Sequence, residues 1–249
     1  MTMTIYILWL RQLKRYFRSR ARIVGSLGQP LLFLVALGFG FGPIFAKAGG
    51  GNYILFLTPG IVGMGILFTA LFSGIEVIWD RQFGFLKETM VAPVSRLSIV
   101  IGRTLGGATV ATLQGVIVLL LSLAVGFRPV SLALLPVAFV AMFLIALLFT
   151  ALGTAIASLM NDMQGFQLIM NFVVMPTFFL SGALFPLAGL PTILSDVARA
   201  DPLTYGIDAL RASLAGASHF PLGIDLAVTA GVVLLFMAVG SWLFSRIEA

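Results

Sequence analysis

The sequence predicts an all-α membrane protein with six transmembrane helices, and three observations lead to this fold class. Charged residues make up 10% of the 249 positions and apolar residues 60%, whereas globular domains have roughly 25% and 45–50%. Six stretches reach the about 20 apolar residues that a helix needs to cross a bilayer. They are apolar on every face, while a β-barrel strand would alternate apolar and polar positions. Lipid rather than water must therefore surround most of the chain.

The predicted spans cover residues 23–46, 54–76, 104–127, 133–157, 166–187 and 222–245. The fourth and fifth spans are separated by Asn161 and Asp162, which suit a tight polar turn. The first span follows a basic stretch, as the core of a signal peptide would. It is uncharged from Ile23 to Ala46, however, and a signal-peptide core has only about 7–15 residues. We therefore interpret residues 1–22 as a cytoplasmic amphipathic helix and residues 23–249 as a single six-helix transmembrane domain.

The distribution of cations predicts the orientation. If both termini are inside, eleven of the 15 Lys and Arg residues fall in inner segments. The outer segments then hold four cations, namely Lys47, Arg128, Arg199 and Arg211. Inner loops of membrane proteins are enriched in Lys and Arg. We expect a multi-pass protein of the bacterial or archaeal plasma (inner) membrane, with both termini in the cytoplasm.

The N-terminal stretch is predicted to be an amphipathic helix at the membrane surface. Apolar residues recur at helical spacing, at Ile5, Leu8, Trp9, Leu13, Tyr16 and Phe17. Cations occupy the opposite face, at Arg11, Lys14, Arg15, Arg18 and Arg22. Such a helix lies with its apolar face in the acyl chains and its cations toward lipid phosphates. A cation cluster in this setting indicates membrane lipid, not nucleic acid, as its partner.

The inner loop after the second span is predicted to hold a short helix from Trp79 to Met90. A helix there places apolar residues on one stripe, at Trp79, Phe83, Leu86 and Met90. Charged residues fall on another face, at Asp80, Arg81, Lys87 and Glu88. Pro93 ends the helix, because the residue before a proline avoids helical geometry. This pattern is typical of a helix that docks into a groove on another protein, and a solvated loop along the membrane is the alternative.

The outer region 188–221 is predicted to form two short helices, the first from about Pro191 to Ala198. For the second helix, Asp201 is a suitable N-cap and Pro202 a suitable first residue, while Gly216 fits just past the end. Its apolar stripe consists of Leu203, Ile207, Leu210 and Leu214, and its other side carries Thr204, Asp208 and Arg211. We expect a helical hairpin that dips into the outer leaflet, with a plain surface cap as the alternative.

The sequence lacks the motifs of an enzyme. It has no cysteine, and none of its lysines follows a glycine, so the phosphate-binding motif G-x-x-x-x-G-K-[ST] does not occur. No catalytic or metal site is predicted, and His219 is interpreted as a loop residue. Glu76, at the inner end of the second span, is either a transport residue or an interfacial carboxylate paired with Arg81 or Arg103. Gly102 and Gly106 have the spacing that lets helices approach closely.

Several runs of residues together resemble the membrane permease of type-2 ABC exporters, a group that includes drug-resistance and lipid-linked glycan exporters. The resemblance covers essentially the whole chain, including the basic amphipathic N-terminus. The runs are 84–88 (GFLKE), 92–96 (APVSR), 179–186 (FLSGALFP) and 201–211 (DPLTYGIDALR). The last run, just before the final span, is the most specific.

The resemblance implies an assembly of two permeases, as a homodimer or with a homologue, and a separate ABC ATPase below each. ATP and magnesium would bind the ATPase, and no cofactor would bind this chain. The implied ATPase-coupling residues are Trp79, Arg81, Phe83, Leu86, Lys87 and Glu88. The implied outer-hairpin signature consists of Asp201, Pro202, Tyr205, Asp208 and Arg211. A path between the permeases, along spans two and five, would include Phe68, Phe72, Asn171, Met175 and Phe178.

The expected function is therefore that of an export permease without an ATPase site of its own. Its substrate would be amphipathic or lipid-like, with a drug-like molecule as first choice and a lipid-linked glycan as second. An ion-coupled secondary transporter or a channel is the alternative.

Overall fold

The computed structural model describes residues 2–84 and 94–245, and every regular element within these ranges is helical. A short 3₁₀ helix spans Leu132–Leu134. The α-helices are α1 (Thr2–Arg18), α2 (Arg20–Lys47), α3 (Tyr53–Phe72), α4 (Ile75–Gln82), α5 (Arg96–Val125), α6 (Leu135–Leu159), α7 (Met163–Leu180), α8 (Thr192–Ala200), α9 (Pro202–Ala215) and α10 (Leu222–Ser245).

Six helical segments of the described chain are long and apolar enough to cross a membrane, which confirms the predicted fold class. They are Ile23–Lys47, Tyr53–Gln82, Arg96–Val125, Leu132–Leu159, Met163–Leu180 and Leu222–Phe244. Asn161 and Asp162 separate the fourth from the fifth, as predicted. The Asp162 side chain accepts a hydrogen bond from the Gly165 backbone N–H at 2.6 Å and so caps α7.

Three predicted span boundaries differ by several residues from the ends of the corresponding helical segments. The third span starts at Arg96, where the Ser95 hydroxyl caps α5, and not at residue 104. The second continues through α4 to Gln82. The fifth ends at Leu180, because Gly182 adopts a left-handed φ of 73° and the chain leaves the helix. For the first two of these boundaries, the prediction assumed that charged residues lie outside the membrane-spanning helices. Asp80 and Arg103 are instead buried inside the fold.

Helix α3 lies at the centre of the bundle, and its side chains from Leu57 to Leu67 are buried. It packs against α2, α5, α6 and α9. Its junction with α4 lies against the C-terminal part of α6, where Gly74 and Gly153 bring the two backbones together. A Cβ on either glycine would collide with the opposing main chain. This close approach fixes α4 at one end of the bundle, the predicted inner face.

Helix α1 packs lengthwise along α5. Its apolar stripe was predicted to face lipid, but part of that stripe contacts protein. Leu8 and Tyr16 are buried. The Trp9 indole donates to the Thr109 hydroxyl at 3.0 Å, and the Tyr16 hydroxyl donates to Gln114 Oε1 at 2.8 Å. A Cβ on Gly102 would lie 3.1 Å from the backbone of Ile5. The glycine spacing in α5 therefore admits α1.

The outer helices begin and end close to where the sequence predicted. Pro191 precedes α8, Pro202 is the first residue of α9, and Gly216 ends α9 with a φ of 70°. The predicted polar side of α9 is not a free surface, because Thr204, Asp208 and Arg211 are all buried. Helix α9 packs between α3, α6 and α10 and belongs to the protein core.

Candidate functional site

Five charged side chains meet at the predicted inner face and form what we call the inner charge cluster: Arg11, Arg15, Glu76, Asp80 and Arg103. Asp80 is 6% exposed and accepts hydrogen bonds from two guanidinium groups. One comes from Arg11 of α1 at 2.8 Å, and the other from the buried Arg103 of α5. Asp80 therefore ties α4 to two other helices. Because a buried charge is costly without its partner, removing Asp80 would leave Arg103 buried without this ion pair.

Glu76 completes this cluster one turn earlier in the chain. It is 5% exposed, and its carboxylate lies 3.6 Å from the Arg15 guanidinium. The Arg15 guanidinium also lies 5.1 Å from the centre of the Trp79 ring, within cation–π range. The predicted pairing of Glu76 with Arg81 or Arg103 therefore missed Arg15, a partner from α1.

Arg81 joins α4 to the turn between α6 and α7. Its Nη1 donates to the Met160 carbonyl at 2.9 Å and to Asn161 Oδ1 at 2.6 Å. Its Nη2 donates to the Ser158 carbonyl at 3.1 Å. The segment after the second span and the turn between the fourth and fifth spans, both predicted to be inner loops, therefore meet at α4. The Arg81 guanidinium is held by hydrogen bonds within the chain.

The predicted helix from Trp79 to Met90 does not start as a separate element. Residues 79–82 are instead the last turn of α4. The chain leaves the helix at Phe83, and Gly84 has a φ of 76°. The Phe83 side chain is 80% exposed. The other predicted coupling residues, Leu86, Lys87 and Glu88, lie outside the described residues.

An open groove of about 860 Å³ separates α1 from α4, and we call it the basic groove. Four cations of α1 line it, and the walls on the α4 side include Trp79 and Phe83. The cations are Arg11, Lys14, Arg15 and Arg18. The groove thus combines positive charge with one exposed aromatic side chain.

The outer signature residues form a second polar network. Asp208 is 2% exposed and accepts hydrogen bonds from the backbone N–H groups of His219 (2.8 and 3.0 Å) and Phe220 (2.7 Å). Arg211 donates to the Gly182 carbonyl at 2.8 Å and lies 4.0 Å from Asp208. Its guanidinium is 4.2 Å from the centre of the Phe56 ring. The network joins α9 to three other parts of the fold.

Asp201, Pro202 and Tyr205 organise the start of α9. The Asp201 carboxylate accepts from the Leu203 backbone N–H at 2.9 Å, which is the predicted N-cap. The Tyr205 hydroxyl donates to the Arg199 carbonyl at 2.9 Å, and its ring stacks on Phe220. These contacts fix the bend between α8 and α9.

Burial shifts the pKa values of two of the outer signature residues, Asp201 and Arg211. Burial raises the pKa of Asp201 to about 7, although its hydrogen bond from Leu203 opposes the shift. Burial lowers the pKa of Arg211 to about 10, and the nearby Asp208 carboxylate opposes that shift. At neutral pH Arg211 therefore stays charged, while Asp201 is near its midpoint.

Comparison with known proteins decides the family. The sequence profile of the family described as ABC-2 type transporter matches residues 3–215. The chain belongs to the ABC-2 type transporter family. It is 30% identical to Nodulation protein J of Rhizobium leguminosarum bv. trifolii over 236 residues, covering 94% of this chain and 86% of that protein. It is 28% identical to the transport permease ycf38 of Cyanophora paradoxa over 261 residues, covering 98% of this chain and 88% of that protein.

The ABC-2 permease described here is thus a multi-pass membrane component of a transporter. Membership of this family implies partnership with an ABC ATPase subunit. The basic groove and the exposed Phe83 lie at the end of the bundle where the resemblance predicted contact with such a subunit.

The predicted path residues of this ABC-2 permease separate into three places. Asn171 and Met175 lie on the exposed face of α7. Phe178 is 1% exposed, and its ring packs edge-on against Phe33 and Phe179. Phe68 and Phe72 stack on each other and line an inner cavity beside α1 and α2. The structure therefore does not bring the five residues to one surface of a single chain.

Sequence reasoning missed one buried acid. Asp225, in the first turn of α10, has no exposed surface, and neither of its carboxylate oxygens has a hydrogen-bond partner in the described part of the chain. Its position three residues inside an apolar span was the available signal, because ionisable residues in spans are rare and costly. The ion pairs of α1 with α4 gave no comparable signal, since these partners are more than 60 residues apart.

Proposed function

We propose that this chain is the permease of an exporter that moves an amphipathic or lipid-like substrate outward, using ATP hydrolysed by a separate subunit. In this proposal ATP and magnesium bind the ATPase and this chain binds no cofactor. The observation that carries the proposal, beyond family membership, is the basic groove with Phe83 at its edge.

Phe83 has the properties of an interface anchor. It is 80% exposed, next to cations of α1 and at the end of a helix that is otherwise held within the bundle. Buried aromatic anchors contribute much of the free energy of protein–protein binding, while rim charges mainly affect association rate and salt sensitivity. We therefore assign Phe83 to the contact with the ATPase and the groove cations to its rim.

The contacts of α4 support its role in coupling. Asp80 connects it to α1 and α5, and Arg81 connects it to the turn before α7. A displacement of Phe83 by the ATPase would therefore act on four helices together. Trp79 strengthens the link, because its indole N–H points to the Met163 sulfur at the start of α7.

We further propose that two permeases enclose the path and that each binds one ATPase. Only about a fifth of the residues in the first, fifth and sixth spans are buried in the single chain. The exposed side of α7 carries the apolar residues Leu168, Phe172 and Met175 together with the polar residues Gln164, Gln167 and Asn171. Such a face suits either lipid or a second permease. A drug-like amphiphile is the first choice of substrate and a lipid-linked glycan the second.

The location and orientation belong to the same proposal. We place the protein in a bacterial or archaeal plasma membrane, and the cation distribution supports a cytoplasmic location for both termini. The inner charge cluster, the basic groove and Phe83 then face the compartment that holds ATP.

The test is the retention of the ATPase by a Phe83→Ala permease. The complex is purified through a tag on the permease, and the amount of bound ATPase and the transport rate are measured. Loss of a buried aromatic anchor costs about 2 kcal/mol or more, so retention should fall by at least about tenfold. Transport should fall with it, while the permease remains folded and inserted.

The matched control is Ile193→Ala. Ile193 is 79% exposed, but it lies on α8 at the opposite, predicted outer side. This variant should retain the ATPase as the unmodified chain does. Normal retention and export by Phe83→Ala would refute the assignment of this side chain to the ATPase contact.

A further inference from the structure

A partly enclosed cavity of about 230 Å³ lies between α1, α2, α3 and α5. It is separate from the basic groove and from the exposed face of α7. Its apolar wall includes Phe68 and Phe72, whose rings are nearly parallel with centres 6.3 Å apart. Its polar wall includes Gln12, Gln29 and Thr69.

The polar wall offers hydrogen-bonding groups that the protein does not use. The hydroxyls of Tyr16, Ser26 and Ser73, which also line the cavity, bind other groups of the chain. Within the described residues, the side chains of Gln12, Gln29 and Thr69 make no hydrogen bond. Two carboxamides and one hydroxyl can therefore bind a ligand as both donors and acceptors.

The charge of the cavity excludes strongly charged ligands. Glu76 is the acidic group in its wall, and the Arg15 guanidinium lies 3.6 Å from its carboxylate. A cation would compete with Arg15 for this carboxylate, and an anion would be repelled by it. The carboxamides and hydroxyl are neutral, so a neutral hydrogen-bonding group fits best.

The size and the opening of the cavity define the shape of the ligand. Pockets for drug-sized molecules have volumes of about 300–1,000 Å³, so about 230 Å³ holds one ring or headgroup. Gly25 and Gln29 are exposed on α2, so the cavity opens beside a membrane span. An apolar tail can therefore remain in lipid while the headgroup lies inside.

We propose that this cavity binds the neutral, hydroxyl-bearing headgroup of an amphiphile, such as the sugar ring of a glycolipid. The ring's hydroxyls bind Gln12, Gln29 and Thr69, and its C–H face lies on the negative faces of Phe68 and Phe72. The site takes this chemistry from either a resident membrane lipid or a transported substrate. The binding itself does not depend on the export function proposed above.

The experiment measures lipid bound to the purified permease, without ATPase, in phosphatidylcholine nanodiscs prepared without glycoside detergents. The probes are monoglucosyl diacylglycerol, phosphatidylglycerol and a trimethylammonium diacyl lipid with the same acyl chains. Native mass spectrometry counts the lipids that remain bound. Because the headgroup hydroxyls gain hydrogen bonds in the cavity, the glucosyl lipid should be retained about tenfold over both charged lipids, a difference of about 1.4 kcal/mol.

Two variants test the location. Gly25→Leu places a side chain at the opening, and a Cβ there meets no atom within 4 Å, so the helix accepts it. Gly28→Leu is the matched control, because Gly28 lies on the same helix with equally free space but does not line the cavity. Gly25→Leu should abolish the preference for the glucosyl lipid, Thr69→Val should weaken it, and Gly28→Leu should preserve it. Equal binding by the two leucine variants, or no preference among headgroups, would overturn the proposal.

A second arm identifies the source of the headgroup. The permease–ATPase complex is reconstituted with and without the glucosyl lipid, and lipid export and ATP hydrolysis are measured. If the headgroup belongs to a transported substrate, the lipid stimulates ATP hydrolysis, and Gly25→Leu abolishes its export. If it belongs to a resident lipid, the lipid is bound without being exported. Both results presuppose binding in the first arm, so failure to bind the glucosyl lipid would overturn this site, whereas failure to export a bound lipid would not.

Discussion

At the residue scale, the outer signature combines local helix capping with a buried carboxyl group. Asp201 caps α9 through the Leu203 backbone N–H, and only one of its oxygens is used there. Burial raises the pKa of this carboxyl to about 7 from 3.8. The native state therefore holds the Asp201 proton more tightly than the unfolded chain does. The ionised form costs stability, and this cost grows as the pH rises from about 4 to about 7.

We expect Asp201→Asn to remove this pH dependence. Asparagine keeps the oxygen that caps α9 but cannot ionise. The variant should match the unmodified chain near pH 4 and exceed it in stability above pH 7, by less than about 4 kcal/mol. Thermal unfolding of both proteins in the same detergent, between pH 4 and pH 8, measures the difference. Parallel stability curves across that range would contradict a raised pKa at this position.

Some residues of the candidate site were predictable because their signals are local. Asp201, Pro202 and Gly216 mark the ends of one short helix, and their types alone specify those ends. The positions of Asp80 and Arg103 were predicted incorrectly, because the charge of each residue suggested a place outside the membrane-spanning helices. Their burial follows from a contact between different helices, which periodicity within one helix cannot reveal.

At the element scale, α1 is a packed part of the bundle. Its amphipathic pattern predicted the helix correctly, but the pattern does not distinguish a lipid surface from a protein surface as the partner of the apolar stripe. The contacts with Gly102, Thr109 and Gln114 of α5 identify protein as one partner. The end of α4 shows a related limit, since the apolar spacing from Trp79 to Met90 suggested one helix although the chain turns at Gly84.

We expect Gly102→Leu to separate α1 from α5. The new side chain would meet the backbone of Ile5, which cannot rotate away as a side chain can. Trypsin should then cleave α1 after its Lys and Arg residues faster than in the unmodified permease, because a detached helix opens locally at low cost. Gly231→Leu in α10 is the control, since nothing lies within 4 Å of its Cβ position. Unchanged cleavage of Gly102→Leu would mean that α1 is not held by this contact.

At the scale of the whole molecule, the helices fall into two groups, a buried central group and an exposed peripheral group. Helices α3 and α9 form the centre, whereas α2, α7 and α10 leave apolar faces exposed. The number and class of spans were predictable because bilayer thickness sets the length of an apolar helix. The order in which the helices pack was not predictable, because apolar residues on every face give no preferred side.

We expect the active particle to contain two permease chains of 26.6 kDa and two ATPases. Each chain supplies one Phe83 and one basic groove, and ABC ATPases act in pairs by the family resemblance. Mass measurement of the complex in detergent, with transport measured on the same preparation, tests this composition. A fully active particle with one permease and one ATPase would contradict it.

The packing of α1 also has a consequence for how the protein is made. Its partners Asp80, Thr109 and Gln114 are translated 69 to 100 residues after it. At about 5–20 residues per second, α1 waits several seconds before they leave the ribosome. During that interval Arg11 and Arg15 have not yet met their carboxylate partners. If the N-terminus is cytoplasmic, as proposed above, these free cations can hold it on that side while the first span inserts, and they are neutralised once the carboxylates arrive.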